Sequence, residues 1–321
     1  MLLGNQIVKN VTRANHYVPQ HLLKNFADGA GKLWIYDTEL GKCRNGKPKS
    51  AGFECRLYPP KIEKAFTAHI DSPGAKAIAD LLRRKQLNAT QWEDFLRFVA
   101  AQMQRTPACF DRVTATMAPT MQESFERAAK FHSGFREKVR NSLEHTGATA
   151  EEIDALFHAM GTGQCTVTPT KDYVLRKSLR MIQRLQTELK QMRWTIFGVP
   201  SGEPDLILGD QPVMLYDAGP DNEPPKPLGI RNPSIELVMP LSRRMVAMAH
   251  WTGPDSFGEL VKGSVEVINE RTLRYARRFV FAPYRSDGLL AEAVRLRGTG
   301  PKVHVRRVRI GRALAIIPEY R

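Results

Sequence analysis

No pair of cysteines in this chain has the spacing of a metal site. Cys43, Cys55, Cys109 and Cys165 are scattered, without a CxxC among them. A zinc knuckle is therefore not expected, and reduced structural thiols are. A catalytic cysteine would need a partner base, which no spacing here supplies. Long apolar runs are also missing: none nears the ~20 residues of a bilayer span. Met1 to Asn10 lacks the basic start, apolar run and small-residue cleavage site of a secretory leader. A cytosolic protein with no membrane segment is expected. No internal repeat is visible. GTGQ at 161–164 lacks the Lys-Ser/Thr of a phosphate-binding loop. No HNH, HxH or PD-(D/E)xK nuclease run is convincing; DLILGD at 205–210 has no ExK after it.

Acids are scarce relative to bases. Forty-eight Lys and Arg against 33 Asp and Glu leave a formal charge of +15 over 321 residues. An excess of that size favours a polyanionic partner, RNA, DNA or an acidic protein, unless it serves solubility alone. At 42% hydrophobic and 25% charged, the chain is not globally disordered. Its length suffices for one large domain or two.

The polar groups concentrate first in NHYVPQHLLKNF, Asn15 to Phe26. Val18, before a proline, is pushed toward extended geometry, and Pro19 suits the first turn of a helix. His16 and Tyr17 are thus expected on an extended lead-in and Pro19 to Phe26 on a short helix with Leu22, Leu23 and Phe26 inward. Asp28-Gly29 reads as a turn and Leu33 to Asp37 as a strand.

This opening resembles that of the domain-of-unknown-function 4238 family. AAQMQRTP at 100–107, MRWTIFGVPSGEPDLILGDQPV at 192–213 and VMPLSRRMVAM at 238–248 follow in the family's order. The resemblance implies membership and no reaction. It also implies an acid-bearing helix after residue 60, where Glu63 matches one acidic position and Asp71 stands where the second is shifted or replaced.

Along the chain, Thr38 to Pro60 reads as strand–turn–strand around the acid-free GKCRNGKPKS, either a solvated loop or a phosphate contact. Ile62, Phe66 and Ile70 mark a helix that Ser72-Pro73 should break. Thr90 and Glu93 suggest a capping box for a helix with Trp92, Phe95, Leu96, Val99 and Met103 inward. Gln102 and Arg105 share one of its faces. A buried Arg105 would need a carboxylate or phosphate partner. Pro119 is a candidate break in the helical stretch 110–144, and Thr149 with Glu152 should cap the next helix. Asp172 to Arg193 is amphipathic, with Arg176, Arg180 and Arg184 outside its apolar stripe. After Arg193 the composition turns strand-like: Trp194–Val199, Leu206–Leu208, Ile235–Met239, Met245–His250, Val265–Ile268 and Phe279–Ala282, with a short helix at Arg271–Arg278. VHVRRVRI, with Arg306, Arg307 and Arg309, reads as a basic edge strand.

The expected fold class is α+β: an N-terminal helix–strand unit (1–72), a central helical region (73–193) and a mostly antiparallel, basic β region (194–321), which one continuous domain would also accommodate. The N-terminal strand is free to join the later sheet. One function reading is a nuclease-like hydrolase acting on nucleic acid. His16, Asp210, Arg105, Gln102 and Gln20 would form its catalytic pocket, with an Arg105–Asp210 pair at the centre, and Asp37, Glu63 and Asp210 would bind a divalent metal such as Mg²⁺. The other is a non-catalytic RNA- or DNA-binding or protein-interaction module, with its polar residues satisfied structurally. The Arg176–Arg184 face and Arg306–Arg309 are the nucleic-acid contacts in either case. A toxin or phage-defence role would fit both. Nothing in the sequence indicates an oligomeric state.

Overall fold

The computed structural model describes residues 14–217 and 229–300, and the backbone alone of 303–310 and 313–320. The described residues form two compact units. One holds 14–109 and 178–300; the other holds 110–177 and the terminal strand pair up to Glu319.

In the first unit, strand β1 (Ala14–His16) leads through Pro19, extended at ψ 144°, into helix α1 (Gln20–Lys24). Strands β2 (Leu33–Asp37) and β3 (Lys42–Gly46) form a hairpin, and a single 3₁₀ turn, Pro48–Ser50, precedes β4 (Phe53–Cys55). β4 returns antiparallel onto β1. Gly52, between the turn and β4, has φ +63°, and its carbonyl accepts from both Tyr17 and Val18 N–H at 3.0 Å. A Cβ there would lie 2.8 Å from Val18 Cβ, so only glycine fits this crossing.

The helical stretch after Pro59 does not break at Ser72-Pro73. Helix α2 (Pro60–Phe66) passes through one π turn, Thr67–Asp71, into α3 (Ser72–Leu82). Proline at 73 has no N–H for the carbonyl of His69, so the helix widens there instead of ending; Ser72 N–H reaches back to Thr67 O. Helix α4 (Ala89–Gln104) crosses α3 where Gly74 meets Phe98, and a Cβ on Gly74 would come within 2.7 Å of that ring. The capping box of α4 belongs to Asn88 and Gln91, not to Thr90 and Glu93; Glu93 instead pairs with Lys190 and Gln186.

The second unit comprises α5 (Pro107–Phe131) from Phe110 on, α6 (Ser133–Glu144), α7 (Ala150–Gly161) and α8 (Lys171–Leu189) up to Lys177. Its core is Ala129, Ile153, Phe157 and Met160. α5 runs through Pro119, and the interruption falls at His132, whose ring accepts from Phe135 N–H to cap α6. Thr149 and Glu152 form the expected capping box.

The rest of the first unit is sheet-rich. β5 (Arg193–Gly198), the short β6 (Leu208–Gly209), β7 (Met214–Asp217), β8 (Ile235–Ser242), β9 (Met245–His250) and β10 (Ser256–Glu259) come first. Helix α9 (Ser264–Tyr275), β11 (Phe279–Ala282) and α10 (Asp287–Leu296) follow. The backbone of β12 (Val303–Ile310) and β13 (Ala313–Tyr320) makes a two-stranded pair. One sheet has the order β10-β5-β9-β8-β7, antiparallel except for β10 with β5; a second has β3-β2-β11-β6. The N-terminal β2 thus pairs with β11, and α+β is the fold class. Val265–Ile268 is helical rather than a strand: Val265, Ile268, Thr272 and Leu273 are its buried positions, a period of 3.6 and not 2.

Candidate functional site

The segments that carry the family resemblance meet as braces. Asn25 Nδ2 donates to Leu241 O at 2.9 Å, and Arg243 N–H donates to Asn25 O. Arg244 donates to the carbonyls of Val199, Pro200, Glu203 and Pro204, clamping the loop PSGEPD. At the end of α4, Arg105 is 1% exposed. Its Nε donates to Tyr17 O at 3.1 Å, and its Nη1 donates to Asp71 Oδ2 at 3.1 Å and lies 2.8 Å from Oδ1. Only the contact to Oδ2 has hydrogen-bond geometry; Asp71 Oδ1 is buried with no donor on it. The Gln102 amide, oriented to donate to Tyr17 O, accepts from Arg105 Nε and Nη2. Tyr58 O–H donates to Arg105 O at 2.7 Å, and the Phe66 ring lies 5.2 Å from the guanidinium carbon.

This arrangement corrects two expectations. The partner of Arg105 is Asp71, not Asp210. With Arg105 and Gln102 each 1% exposed and every guanidinium nitrogen engaged, neither side chain can reach a phosphate. Asp210 accepts from the backbone N–H groups of Arg277, Arg278 and Phe279 at 2.8–2.9 Å. It is a backbone cap, 3% exposed. Burial pushes its carboxyl up, against the pull of those three donors.

The metal trio also comes apart. Asp37 accepts from the Arg278 guanidinium, at 2.7 Å for Nη2, and from Glu39 and Leu40 N–H. Desolvation opposes ionisation of Asp37, but these bonds outweigh it and its carboxyl sits below the usual range. Asp37 and Asp210 brace the strand lead-in 277–279 from two sides, whereas Glu63 accepts from Asn15 Nδ2 at 3.2 Å. Among the described residues no group of three His, Cys, Asp or Glu is placed to hold a metal ion. Gln20 is exposed on α1, without a side-chain hydrogen bond among the described residues.

What remains partly open is a cluster built on β1 and the wide helical turn. The half-exposed His16 ring faces Lys49 O through Nε2 at 3.3 Å, and its field is coupled to Arg105 and Asp71. Glu63 accepts from His16 backbone N–H as well as from Asn15, whose Oδ1 accepts from Tyr58 N–H. An unbroken α-helix would put Asp71 about 80° around from Glu63, eight residues at 100° each; the π turn alters that offset, and the two carboxyls sense each other. Burial lowers the imidazole's pKa, with the Lys49 bond opposing. Burial raises Glu63 against its hydrogen bonds, and raises Asp71 against Arg105. At neutral pH, His16 is a neutral ring coupled to Asp71, on a residue whose backbone N–H bonds Glu63, and both carboxyls hold protons more tightly than free ones. Such a combination suits acid–base chemistry. Tyr58 carried no motif signal, Asn15 stood in the opening motif without a role of its own, and Asp71 was legible only as a displaced acid.

Arg176, Arg180 and Arg184 are exposed along α8, Arg176 in an ion pair with Asp172. The side chains of Arg306, Arg307 and Arg309 lie outside the described residues. No helix among the described residues is long and apolar enough to cross a membrane.

Residues 14–286 match the model of a family described as a protein of unknown function, DUF4238. The chain belongs to that family. No curated protein and no solved structure matches it.

Proposed function

We propose that this member of the family is a nucleic-acid-directed hydrolase with its acid–base centre at His16 and Glu63. The supporting observation is the neutral, half-exposed imidazole coupled to Asp71, with Glu63 bonded to the His16 backbone N–H and both carboxyls held proton-prone by burial. In the reaction, His16 takes a proton from water as the oxygen attacks phosphorus, and Glu63 in its acid form protonates the departing oxygen. Asp71, Arg105 and Gln102 are positioning residues: they hold Tyr17 O, and with it the strand that carries His16. Lys49, whose backbone carbonyl faces the ring, and Lys47 are exposed, have no ion pair among the described residues and supply positive potential for a phosphate backbone.

The test is cleavage of labelled RNA and DNA, single- and double-stranded, with Mg²⁺ and with chelator. His16→Ala and Glu63→Gln should each lower the rate at least about 100-fold, the usual scale of a lost acid or base, while melting temperature holds. Wild-type protein that cuts none of the panel, or variants that cut as fast, would end the catalytic reading. A toxin or phage-defence role rests on that activity: expression of the wild type, but not of His16→Ala, should then arrest growth. A second reading, a binding module without chemistry, is favoured by Arg180 and Arg184, exposed and without ion pairs among the described residues. Retained oligonucleotide binding with no cleavage would select it.

A further inference from the structure

A cleft of about 320 Å³ opens in the first unit between the α3–α4 connection, the start of β5 and the edge strand β10. It shares no residue with the His16 cluster. Its floor is aromatic and its rim is charged. Trp92 is half-buried, and Trp194 stands edge-on to it, with ring centroids 5.9 Å apart at 89°. Trp194 is buried and spends its indole N–H on Leu189 O. The Trp92 N–H makes no hydrogen bond among the described residues. Phe257, on β10, lines another wall.

The rim carries Lys190, which pairs with Glu93, and Arg193, whose Nη1 donates to Asp255 at 3.0 Å. These pairs largely cancel each other's charge, so the cleft carries little net potential of its own. The uncompensated charge lies next door. Arg180 and Arg184 are exposed on α8, ten and six residues before Lys190, with no acid paired to them among the described residues. A half-exposed indole with a spare donor calls for a planar, hydrogen-bonding ring. Free guanidinium groups about two and three helical turns back along α8 from Lys190 call for phosphates. A base attached to a backbone of phosphates supplies both.

We propose that this cleft receives a base of single-stranded nucleic acid, stacked against Trp92, while the flanking phosphates run along Arg184 and Arg180. Stacking on an aromatic ring tolerates every base, so binding is broad in sequence; the phosphate contacts make it salt-dependent. This site does not require hydrolysis at His16 and stands or falls separately.

The test measures binding of labelled 12-nucleotide single-stranded DNA and RNA by anisotropy, in chelator at low salt, to the whole chain, with free nucleoside monophosphates in a parallel arm. Trp92→Ala should weaken oligonucleotide binding by roughly 5- to 150-fold, the equivalent of one stacked base, and Trp92→Phe should restore most of it. Arg180→Ala with Arg184→Ala should flatten the salt dependence without removing the effect of Trp92. Should Trp92→Ala fail to fold, Phe257→Ala on the opposite wall reads the same cleft. Binding of monophosphates as tight as that of oligonucleotides would overturn the strand reading. No binding by the wild type at low salt, or equal binding by the ring-deleted variants, would overturn the site. His16→Ala should bind as the wild type does; binding without cleavage in both would leave the cleft standing and remove the catalytic proposal.

Discussion

Replacing Arg105 by Met tests whether the buried pair is the brace the geometry describes. Met keeps much of the side chain's length and apolar contact with Phe66 and Phe98 but removes every donor. The perturbation strands Asp71 and the Gln102 carbonyl and leaves Tyr17 O with only its Gln102 donor. Breaking a buried ion pair by deleting one partner costs about 3–5 kcal/mol, because the other charge stays desolvated. Asp71 keeps 18% side-chain exposure, so the lower end is expected, about 3 kcal/mol.

The pH dependence carries a sign that separates this cause from lost packing. Burial already raises the Asp71 pKa in the wild type, and Arg105 restrains the rise. Without the arginine, the folded-state pKa climbs further above the unfolded value. In that window the native state holds more protons than the unfolded state, so stability falls as pH rises. The Met variant should therefore be closest to wild type near pH 4 and fall behind as pH rises above it. Urea unfolding across pH 4–8 reads this directly. Adding Asp71→Asn should recover a large part of the loss at pH 7, a coupling of about 1–3 kcal/mol. A pH-independent loss, or no recovery in the double variant, would refute the ion-pair account.

Gly74→Ala should destabilise by about 1–3 kcal/mol, the scale of overpacking, because its Cβ would meet the Phe98 ring at 2.7 Å; a melting temperature at or above wild type would show that α3 and α4 can part freely. His21 is buried against Phe98 with no partner on Nε2, and burial takes its pKa down to about 4. The native state then holds fewer protons than the unfolded state between pH 6.5 and 4, so stability should drop by roughly 3 kcal/mol as pH falls through that window, at 1.36 kcal/mol per unit. His21→Phe should flatten the slope, and NMR titration of the ring near 6.5 would contradict it. Single-strand binding should weaken linearly in log salt, and Arg180→Ala with Arg184→Ala should reduce the slope by about 1.4 if each meets one phosphate; an unchanged slope would remove α8 from the interface.

Much of the architecture could be read from local pattern because it rests on local physics. The period of Ile153, Phe157 and Met160, the Thr149–Glu152 cap and the alternating strand Leu33–Asp37 each state their own conformation. Where the reading failed, a distant residue or an unusual backbone decided the outcome. VEVI at 265–268 has strand composition, yet its buried positions continue into Thr272 and Leu273, and that longer period set the helix. Asp210 has the look of a strand-end site carboxylate. Its three donors come from residues 277–279, and nothing near Asp210 announces them.

The same distinction separates the braces from the candidate site. A motif residue whose donors are spent on the fold explains its own presence through folding: the buried Arg105 joins β1, α4 and the wide turn, and the partly exposed Arg244 closes a loop on four carbonyls. The Arg105 guanidinium has no donor left for a substrate. His16 differs because its ring is half-exposed and its one polar contact is a long 3.3 Å approach to a carbonyl. Folding alone does not call for an imidazole there. The π turn, which follows from Pro73, also puts Asp71 against Arg105. A half-exposed imidazole coupled to Asp71, on a residue whose backbone N–H bonds Glu63, is why the acid–base proposal falls on His16 and Glu63 rather than on the better-bonded polar groups around them.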